Sequence, residues 1–271
     1  MELLFADNNV TNLFKQVYAA LDKDGEIVKS RIGNTKHFTD MTLILTNPMA
    51  NVCLDKTRNL SLKYMLGEIA WYMSGSNKLE DIGKYAKMWY NLSDDGETVN
   101  SAYGYRIFEK FGFNQLDYCI EKLKANPYDR QCVIHIKEAS NKPTKDTPCT
   151  CLLQFTCFKN KLNLHVYMRS NDIWLGLPYD IAFFTCVQQY VAYKTGISLG
   201  YYYHTVGDLH LYEQHWGKGI EKTINDAIEP TYNYSWEFTL ERIDHTLERH
   251  LKGQEPIQKA LKELWRINNG K

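Results

Sequence analysis

The sequence has 271 residues, 44% of them hydrophobic, which is enough to bury a sizeable core in one large domain or two small ones. Lysine plus arginine and aspartate plus glutamate both number 32, and this balance excludes a general binder of nucleic acid while leaving room for a local basic pocket. No apolar run approaches the roughly 20 residues of a membrane span and the start lacks a signal-peptide pattern, so we expect no membrane partner either.

The seven cysteines are odd in number and include no CxxC pair. This usage favours reduced thiols in a cytoplasmic protein, or in the host cytoplasm if the chain is viral. Cys149 and Cys151 are too isolated a pair to indicate zinc binding. We therefore predict no metal site.

Hydrophobic periodicity predicts the elements of the first half of the chain. Asn9 is a suitable cap for the first helix, because an apolar stripe of helical spacing follows it. In chain order we predict a helix from Val10 to Leu21, a polar connection over Asp22–Thr39, a strand over Met41–Leu45, helices over Leu60–Met73 and Leu79–Tyr90, a loop or short strand over Asn100–Tyr105, a helix around Leu116–Leu123, and a strand over Gln131–Ile136.

The second half begins with a predicted β-hairpin. In chain order we predict strands over Leu152–Phe158 and Leu162–Met168, a helix over Ile181–Lys194 stopped by Gly196, a strand over Tyr201–Val206, an extended segment over Trp236–Ile243, and a helix over Gln254–Arg266. Strands and helices mix without regular βαβ alternation, which favours the α+β class. No linker or repeat interrupts the chain, so we predict a single domain over residues 1–271.

The stretch Pro148–Asp180 contains more residues suited to catalysis or ligand binding than any other part of the sequence. Cys149 could act as a nucleophile if the hairpin brings Arg169 near it, because adjacent positive charge favours a thiolate. Taken alone, Cys149 is more often a buried structural cysteine than a nucleophile, and the neighbouring residues reverse that preference. The Arg169-Ser170 pair suits a phosphate group.

Several segments together resemble the thymidylate synthase superfamily. The family pattern has Pro-Cys-His, then Gln-Arg-Ser-x-Asp-x-x-Leu-Gly-Leu-Pro-Phe-Asn-Ile-Ala, then Gly-Asp-x-His-x-Tyr. The similar segments here are Asp146–Phe155, Tyr167–Ala182, Gly207–Tyr212, the glutamate-bearing Leu66–Trp71, Met88-Trp89 with Tyr103, and the phosphate segment Asn126–Arg130. The resemblance implies a thymidylate synthase-like fold, with a large twisted mixed sheet, packed helices, and a sheet face that forms a homodimer interface.

The resemblance also implies a role for each matching residue. The catalytic residues would be Cys149, attacking C6 of a pyrimidine nucleotide, Glu68, organising water and proton transfer, and Asp180. The substrate-binding residues would be Arg31, Arg130 (reaching the phosphate site of the partner subunit), Arg169, Ser170, Asp180, His210, Tyr212 and Tyr103. The residues that bind 5,10-methylenetetrahydrofolate would be Trp89, Asp172, Leu175, Gly176 and Tyr179.

Some of these residues also have a purely structural interpretation. Arg130 could equally be a surface charge. Glu68 could be a solvated helix residue, although its apolar neighbours disfavour that alternative. Without the resemblance, Trp89 and Tyr103 would be as readily core residues as ligand contacts.

The departures from the family pattern indicate the substrate. Asp180 replaces the asparagine that follows Leu-Gly-Leu-Pro-aromatic, and a carboxylate can accept from the cytosine 4-amino group. The same replacement marks the deoxycytidylate hydroxymethylases of this superfamily, and Thr150 after the nucleophile also resembles them. Gln131 replaces the second arginine of the phosphate segment, and Met168 replaces the glutamine before Arg-Ser.

We therefore predict one-carbon transfer from 5,10-methylenetetrahydrofolate to C5 of a cytidine monophosphate, dCMP being favoured, to give the 5-hydroxymethyl product. A dCMP C5-methyltransferase and a divergent thymidylate synthase acting on dUMP remain alternatives. From another class, the chain could be a catalytically silent nucleotide-binding protein.

Overall fold

The computed structural model describes residues 4–30, 32–140 and 142–220. Arg31 lies outside these residues, as do the predicted elements over Trp236–Ile243 and Gln254–Arg266. None of the helices in the described ranges is long and apolar enough to cross a membrane.

A mixed sheet organises the described chain. Its eight strands are β1 (Leu4–Asp7), β2 (Glu26–Ser30), β3 (Gly33–Leu45), β4 (Val133–His135), β5 (Thr150–Phe158), β6 (Lys161–Met168), β7 (Asn171–Asp172) and β8 (Ser198–Tyr212). They follow the order β1-β3-β8-β6-β5-β4, with β2 paired to β3 and β7 paired to β8. β3 is antiparallel to β8 and β5 to β6, whereas β1 is parallel to β3 and β6 to β8. The predicted α+β class with a large mixed sheet is confirmed, and the dimer face of that sheet stays a prediction.

The helices differ widely in length. They are α1 (Val10–Asp24), α2 (Leu62–Met73), α3 (Leu79–Gly83), α4 (Met88–Leu92), α5 (Tyr103–Phe108), α6 (Gln115–Ala125) and α7 (Leu177–Thr195). A 3-10 turn, Glu213–His215, follows β8.

The chain divides into two compact units. Among the described residues, the first takes in 4–30, 32–60, Lys122–Val133 and 149–220, and it contains α1, α7 and most of the strands. The second takes in Ser61–Glu121 and Ile134–Pro148 and contains helices α2 to α5. The single catalytic domain over residues 1–271 stays a prediction.

Two helices cover the sheet in the first unit: α7 contacts β6 and β8, and α1 contacts β1 and β3. The α1 stripe is buried as its periodicity predicts, and the Asn9 side chain caps the helix by accepting from the Asn12 N–H at 2.9 Å. Helix α7 is buried over most of its length. It ends at Gly196, whose φ of 71° lies in the left-handed region that glycine adopts without a Cβ clash.

In the second unit, α2 starts at Ser61, whose hydroxyl accepts from the Tyr64 N–H at 3.3 Å. The rings of Trp71 and Tyr72 stack at 4.8 Å in the interior. These contacts bury most of the helix, as its apolar sequence predicts.

The polar connection expected over Asp22–Thr39 is wrong, because this segment forms β2 and the first part of β3. The two strands pair from Glu26 with His37 to Ser30 with Gly33. Their side chains are largely exposed, so they show little of the apolar signal from which strands are recognised. Backbone pairing, which does not depend on that signal, forms the hairpin.

The loop or short strand expected over Asn100–Tyr105 is also wrong, because helix α5 starts at Tyr103. Gly104 lies against the backbone of Tyr72, where any Cβ would overlap the carbonyl group. The contact depends on the absence of a side chain, so hydrophobic periodicity gives no sign of it.

The single helix expected over Leu79–Tyr90 is two short helices, α3 and α4. The ring of Tyr90 folds back onto Gly83, where a Cβ would lie 2.6 Å from it. Seven residues of continuous helix would separate the two positions by about 10 Å along the axis. The ring contact therefore requires the break.

Candidate active site

A β-bulge sets the position of the candidate nucleophile. The register of β5 against β6 shifts between Thr150 and Leu152, so that Thr150 lies opposite Met168. The next residues outward, Cys149 and Arg169, then face each other, and the Arg169 N–H donates to the Cys149 carbonyl at 2.9 Å. Without the shift, Arg169 would lie opposite Thr150 instead. Bulges re-aim side chains in this way next to functional sites.

The side chains of Cys149 and Arg169 meet as well. The Nη2 atom of Arg169 lies 3.7 Å from the Cys149 Sγ, and the thiol is half-buried. A guanidinium at this distance favours the thiolate over the thiol. The proximity that the hairpin predicted is therefore present. None of the seven cysteines, all of which the structure describes, is in a disulfide.

Ser170, His210 and Tyr212 lie next to this pair. Strand β7 runs parallel to β8 and brings the Ser170 Oγ to 3.4 Å from the His210 Nδ1. The ring of Tyr212 meets that of His210 edge-on at 5.2 Å. Asp208 Oδ1 lies 3.3 Å from the same Nδ1. The residues just after the C-terminal end of β6 and those at the C-terminal end of β8 thus bring together three of the predicted substrate-binding groups.

Asp172 has one satisfied and one unsatisfied oxygen. Its Oδ1 accepts from the backbone N–H groups of Trp174 at 2.7 Å and Leu175 at 2.8 Å. Its Oδ2 is buried and accepts no hydrogen bond from the described residues. Burial raises the pKa of the Asp172 carboxyl, against the lowering effects of the Leu175 N–H and the nearby His210. A buried oxygen without a partner is an acceptor that suits a ligand with N–H donors.

Asp180 lies in the first turn of α7 and has a side-chain partner. Asn171 Nδ2 donates to Asp180 Oδ2 at 2.7 Å. Burial raises the pKa of the Asp180 carboxyl to about 7; the Asn171 hydrogen bond lowers it and the charge of Asp172 raises it further. Gly176 lets the pair close, since a Cβ there would lie 3.0 Å from Asn171 Nδ2 and 3.2 Å from Asp180 Oδ2. Near neutral pH, Asp180 therefore exists in both the neutral and the ionised form.

The other residues predicted to bind folate in this unit follow Asp172 in sequence, and the N–H groups of Leu175 and Gly176 donate to its side chain and its carbonyl oxygen. Leu175 is 50% exposed, so its side chain is available to a ligand, and Gly176 precedes α7. The ring of Tyr179 lies under the Arg58 guanidinium at 5.3 Å from its centroid. Arg58 was not among the predicted residues.

Arg130 is exposed in the turn after α6. An exposed position allows contact with another molecule, and its role at a partner subunit's phosphate site stays a prediction. Arg31, the third predicted phosphate ligand, lies outside the described residues.

Three predicted residues lie in the second unit, where a chain of hydrogen bonds connects two of them. Glu68 is 7% exposed, and its Oε1 accepts from the Tyr64 hydroxyl at 2.6 Å. The Trp89 Nε1–H donates to that hydroxyl at 3.2 Å. Tyr103 stacks on Tyr72 with ring centroids 5.0 Å apart. The solvated-helix reading of Glu68 is therefore wrong, and the sequence reasoning missed Tyr64.

Sequence reasoning also missed a buried polar group behind Asp180. His204 Nε2 lies 3.0 Å from Asn171 Oδ1, and the Tyr202 hydroxyl lies 2.7 Å from His204 Nδ1. Tyr202 and His204 alternate within a predicted strand, which placed them on the same face. Nothing in the sequence indicated that this face meets Asn171, because the two contacting residues are 33 positions apart.

Asp208 is a second omission. Its Oδ2 lies 3.0 Å from His37 Nδ1, across the β3–β8 pairing. The sequence did not indicate this contact, because the segment containing His37 was predicted to be a polar connection and not a strand. Within the described ranges, no group of three or more His, Cys, Asp or Glu side chains is arranged to hold a metal ion.

Comparison with known proteins agrees with this arrangement. The family model described as thymidylate synthase matches residues 10–249. A deoxyuridylate hydroxymethyltransferase of Bacillus phage SP01 is 29% identical over an alignment of 235 residues, and the alignment covers 81% of this chain and 61% of that protein. The chain therefore spans less than two thirds of the length of that relative. On the family match, the chain belongs to the thymidylate synthase family.

Proposed function

We propose that the protein transfers a one-carbon unit from 5,10-methylenetetrahydrofolate to C5 of a cytidine monophosphate, with dCMP favoured, and releases the 5-hydroxymethyl nucleotide. Family membership supports an enzyme of one-carbon transfer to a pyrimidine nucleoside monophosphate. The observation that carries the cytosine assignment is the buried Asp180 carboxyl.

Asp180 suits the hydrogen-bonding edge of cytosine. That edge carries an acceptor at N3 and a donor at the 4-amino group. A carboxyl group that is protonated on one oxygen offers one donor and one acceptor, and it can match both positions. A pKa of about 7 makes the neutral form available near neutral pH. One unmatched buried hydrogen bond costs about 1–3 kcal/mol, which is enough to select a base.

Cys149 supplies the nucleophile. The Arg169 guanidinium 3.7 Å from its sulfur favours the thiolate. Addition of the thiolate to C6 forms the C6–S bond and moves the π electrons of C5=C6 to C5. C5 can then form the new bond to the one-carbon unit.

Arg169 and Ser170 would also bind the 5′-phosphate, together with Arg31 and, from the partner subunit of a homodimer, Arg130. Guanidinium groups suit a phosphomonoester because they donate two parallel hydrogen bonds. His210 and Tyr212 would bond the sugar hydroxyl. The contact of Ser170 with His210 supports a phosphate end and a sugar end that adjoin.

The folate would supply the one-carbon unit at the oxidation level of formaldehyde. Asp172 fits this co-substrate, because its buried Oδ2 can accept from N–H groups of a pterin. Leu175, Gly176 and Tyr179 lie next to Asp172 and would line the same end of the site, and Trp89 is assigned to it from the family motif.

After transfer, the one-carbon unit would be bonded both to C5 and to a nitrogen of the folate. Glu68 with an ordered water would accept the C5 proton, and the carbon–nitrogen bond would break, so that tetrahydrofolate leaves and an exocyclic methylene remains on the nucleotide. Water then adds to the methylene carbon, C5=C6 re-forms, and Cys149 departs as the thiolate. Hydride addition at the same carbon would instead give a methyl group. The name of the phage relative, a hydroxymethyltransferase, supports the water branch.

That name also favours a second candidate, hydroxymethylation of dUMP. A dCMP C5-methyltransferase or a divergent thymidylate synthase would differ from the proposed enzyme by leaving a methyl group at C5. A catalytically silent nucleotide-binding protein would retain binding and lack C5 chemistry. The close approach of Arg169 to Cys149 weighs against the silent protein.

The test is to incubate the protein with methylenetetrahydrofolate and dCMP, CMP or dUMP, and to identify products by mass spectrometry. We expect 5-hydroxymethyl-dCMP from the wild type, and a shift of preference toward dUMP in Asp180→Asn. A clear wild-type preference for dUMP contradicts the cytosine assignment. A 5-methyl product with dihydrofolate contradicts the hydroxymethyl branch.

A second measurement separates catalysis from binding. Release of tritium from C5-labelled nucleotide should be lost in Cys149→Ala and kept in Cys151→Ala, a matched cysteine two residues further along the chain. Both variants should still bind nucleotide. No release by the wild type would support the silent protein.

A further inference from the structure

A neutral carboxyl at position 180 does not select cytosine by itself. Either oxygen can carry the proton. A proton on the oxygen that faces N3, with an acceptor facing the 4-position, matches cytosine. The reverse placement matches uracil, which has a donor at N3 and an acceptor at O4. Selection therefore depends on which of the two oxygens holds the proton.

Three buried side chains lie behind that carboxyl. Tyr202 and His204 have no exposed surface, and Asn171 is 4% exposed. Hydrogen bonds join them in one line to Asp180, at 2.7 Å from Tyr202 to His204, 3.0 Å from His204 to Asn171, and 2.7 Å from Asn171 to Asp180. We name these three residues the relay.

We propose that the relay residues Tyr202, His204 and Asn171 are positioning residues that place the proton of Asp180 on Oδ1, so that Oδ1 donates to N3 of the base and Oδ2 accepts at the 4-position. This inference rests on the proposed function, because it explains how the same carboxyl distinguishes dCMP from dUMP. Asn171 occupies an unspecified position of the family pattern, and neither Tyr202 nor His204 belongs to a motif segment.

The direction of the relay follows from hydrogen-bond chemistry. Asn171 Oδ1 can only accept, so the neutral His204 imidazole carries its proton on Nε2, and its Nδ1 accepts from the Tyr202 hydroxyl. Nε2–H then donates to Asn171 Oδ1, which turns the amide nitrogen toward Asp180. Oδ2 thus receives an N–H donor, and a carbonyl oxygen accepts better than a hydroxyl oxygen. The proton is accordingly favoured on Oδ1.

Hydrogen bonds that ran through the relay in the opposite direction would prevent Asp180 from donating its proton to the base. Asn171 would then present its oxygen to Asp180, and the carboxyl proton would be used within the protein rather than at the base. Burial lowers the pKa of His204 to about 3, so the imidazole stays neutral and keeps a single N–H over the working pH range. Gly176 leaves room for the last hydrogen bond of the relay.

Two variants test the relay through substrate selection. Tyr202→Phe removes one oxygen and lets His204 change its tautomer, and Asn171→Leu removes the donor to Asp180. We expect each to lower the ratio of kcat/KM for dCMP to that for dUMP about tenfold, as expected for one misplaced hydrogen bond. Tyr203→Phe is the matched control, since its ring stacks on His165 instead, and it should keep the ratio within about twofold of the wild type. Unchanged ratios in both relay variants, with nucleotide binding intact, would overturn the proposal.

A second readout does not depend on the substrate. The carboxyl stretch of Asp180, obtained as the infrared difference between wild type and Asp180→Asn without nucleotide, reports its protonation against pH. Loss of the Asn171 donor should raise the pKa of Asp180, because that hydrogen bond favours the ionised form. Asp172 is the charged group that acts on Asp180, and Asp172 is present in all variants. Tyr202 and His204 also lie on the side of Asp180, but both are uncharged.

The two readouts separate the two proposals. If the wild type prefers dCMP and both relay variants keep the wild-type ratio, the relay fails and the proposed function is retained. If the wild type prefers dUMP, the proposed function fails together with the placement of the proton toward N3, and a rise in the Asp180 pKa in Asn171→Leu then supports only the hydrogen bond from Asn171. If Asn171→Leu leaves that pKa unchanged, the relay is refuted whichever base is preferred.

Discussion

Replacing Asp180 with asparagine should stabilise the protein at alkaline pH relative to the wild type. Burial raises the pKa of this carboxyl from 3.8 to about 7 in the folded state. Between these two values the unfolded chain has lost the proton and the folded chain keeps it. Stability therefore falls as the pH rises through this window, and the loss is complete above the folded pKa. Asparagine has a similar shape, can accept from Asn171, and does not ionise.

The size of the effect follows from the window. Each tenfold difference in proton affinity corresponds to about 1.4 kcal/mol, so the full window amounts to about 4 kcal/mol. The range from about pH 5 to about pH 8 covers the larger part of it, or about 2–3 kcal/mol. Asp180 retains some exposed surface, which brings the expected effect to about 2 kcal/mol.

Urea unfolding of wild type and Asp180→Asn at these two pH values measures the effect. The free energy of unfolding of the variant minus that of the wild type should rise by about 2 kcal/mol from the lower to the higher pH. Other titrating groups are common to both proteins and cancel in the difference. Asp24→Asn, at an exposed helix end, provides the surface control and should show no such rise.

The reasoning is refuted if the difference between the two proteins is the same at both pH values. It is equally refuted if the difference changes in the opposite direction, because a carboxylate stabilised by folding would lose stability toward acid.

Three further predictions address other contacts. Arg169→Lys keeps a positive charge but loses the planar fork beside Cys149, so we expect KM for the nucleotide to rise about tenfold and alkylation of the thiol by iodoacetamide to slow. Tyr64→Phe leaves the buried Glu68 without its 2.6 Å donor, which should lower the free energy of unfolding by about 1–3 kcal/mol in urea titrations; no change would contradict the hydrogen bond. Gly104→Ala would overlap the backbone of α2, so soluble expression should fall sharply; a normally folded variant would contradict the close approach.

Local signals predicted the hairpin that carries the nucleophile. Lys159 and Asn160 both have positive φ, at 49° and 57°, the combination that a two-residue turn between strands requires. From such a turn, the residues of the two strands pair one by one toward the far end of the hairpin. Cys149 and Arg169 could therefore be expected near each other. The bulge that completes their pairing has no counterpart in the side-chain pattern, and only the structure reveals it.

Contacts between distant segments were beyond sequence reasoning for a physical reason. Asn171 and His204 are 33 positions apart in the sequence, and the whole of α7 lies between them. A single buried asparagine and a single buried histidine carry no periodicity that would connect them. The motif positions Asp172 and Asp180 could be read from the sequence, but the partners that set their protonation could not.

These partners assign different chemistry to two carboxyls that lie eight residues apart in one segment. Burial raises the pKa of both Asp172 and Asp180. Asp172 accepts two backbone N–H groups and lies near His210, and each of these contacts favours its ionised form. Asp180 accepts one side-chain N–H and faces the charge of Asp172, which favours its neutral form. Paired carboxyls whose environments differ in this way take separate acid–base roles. Asp172 is accordingly suited to remain an acceptor for a ligand rich in N–H groups, and Asp180 is the carboxyl that can bring a proton to a base.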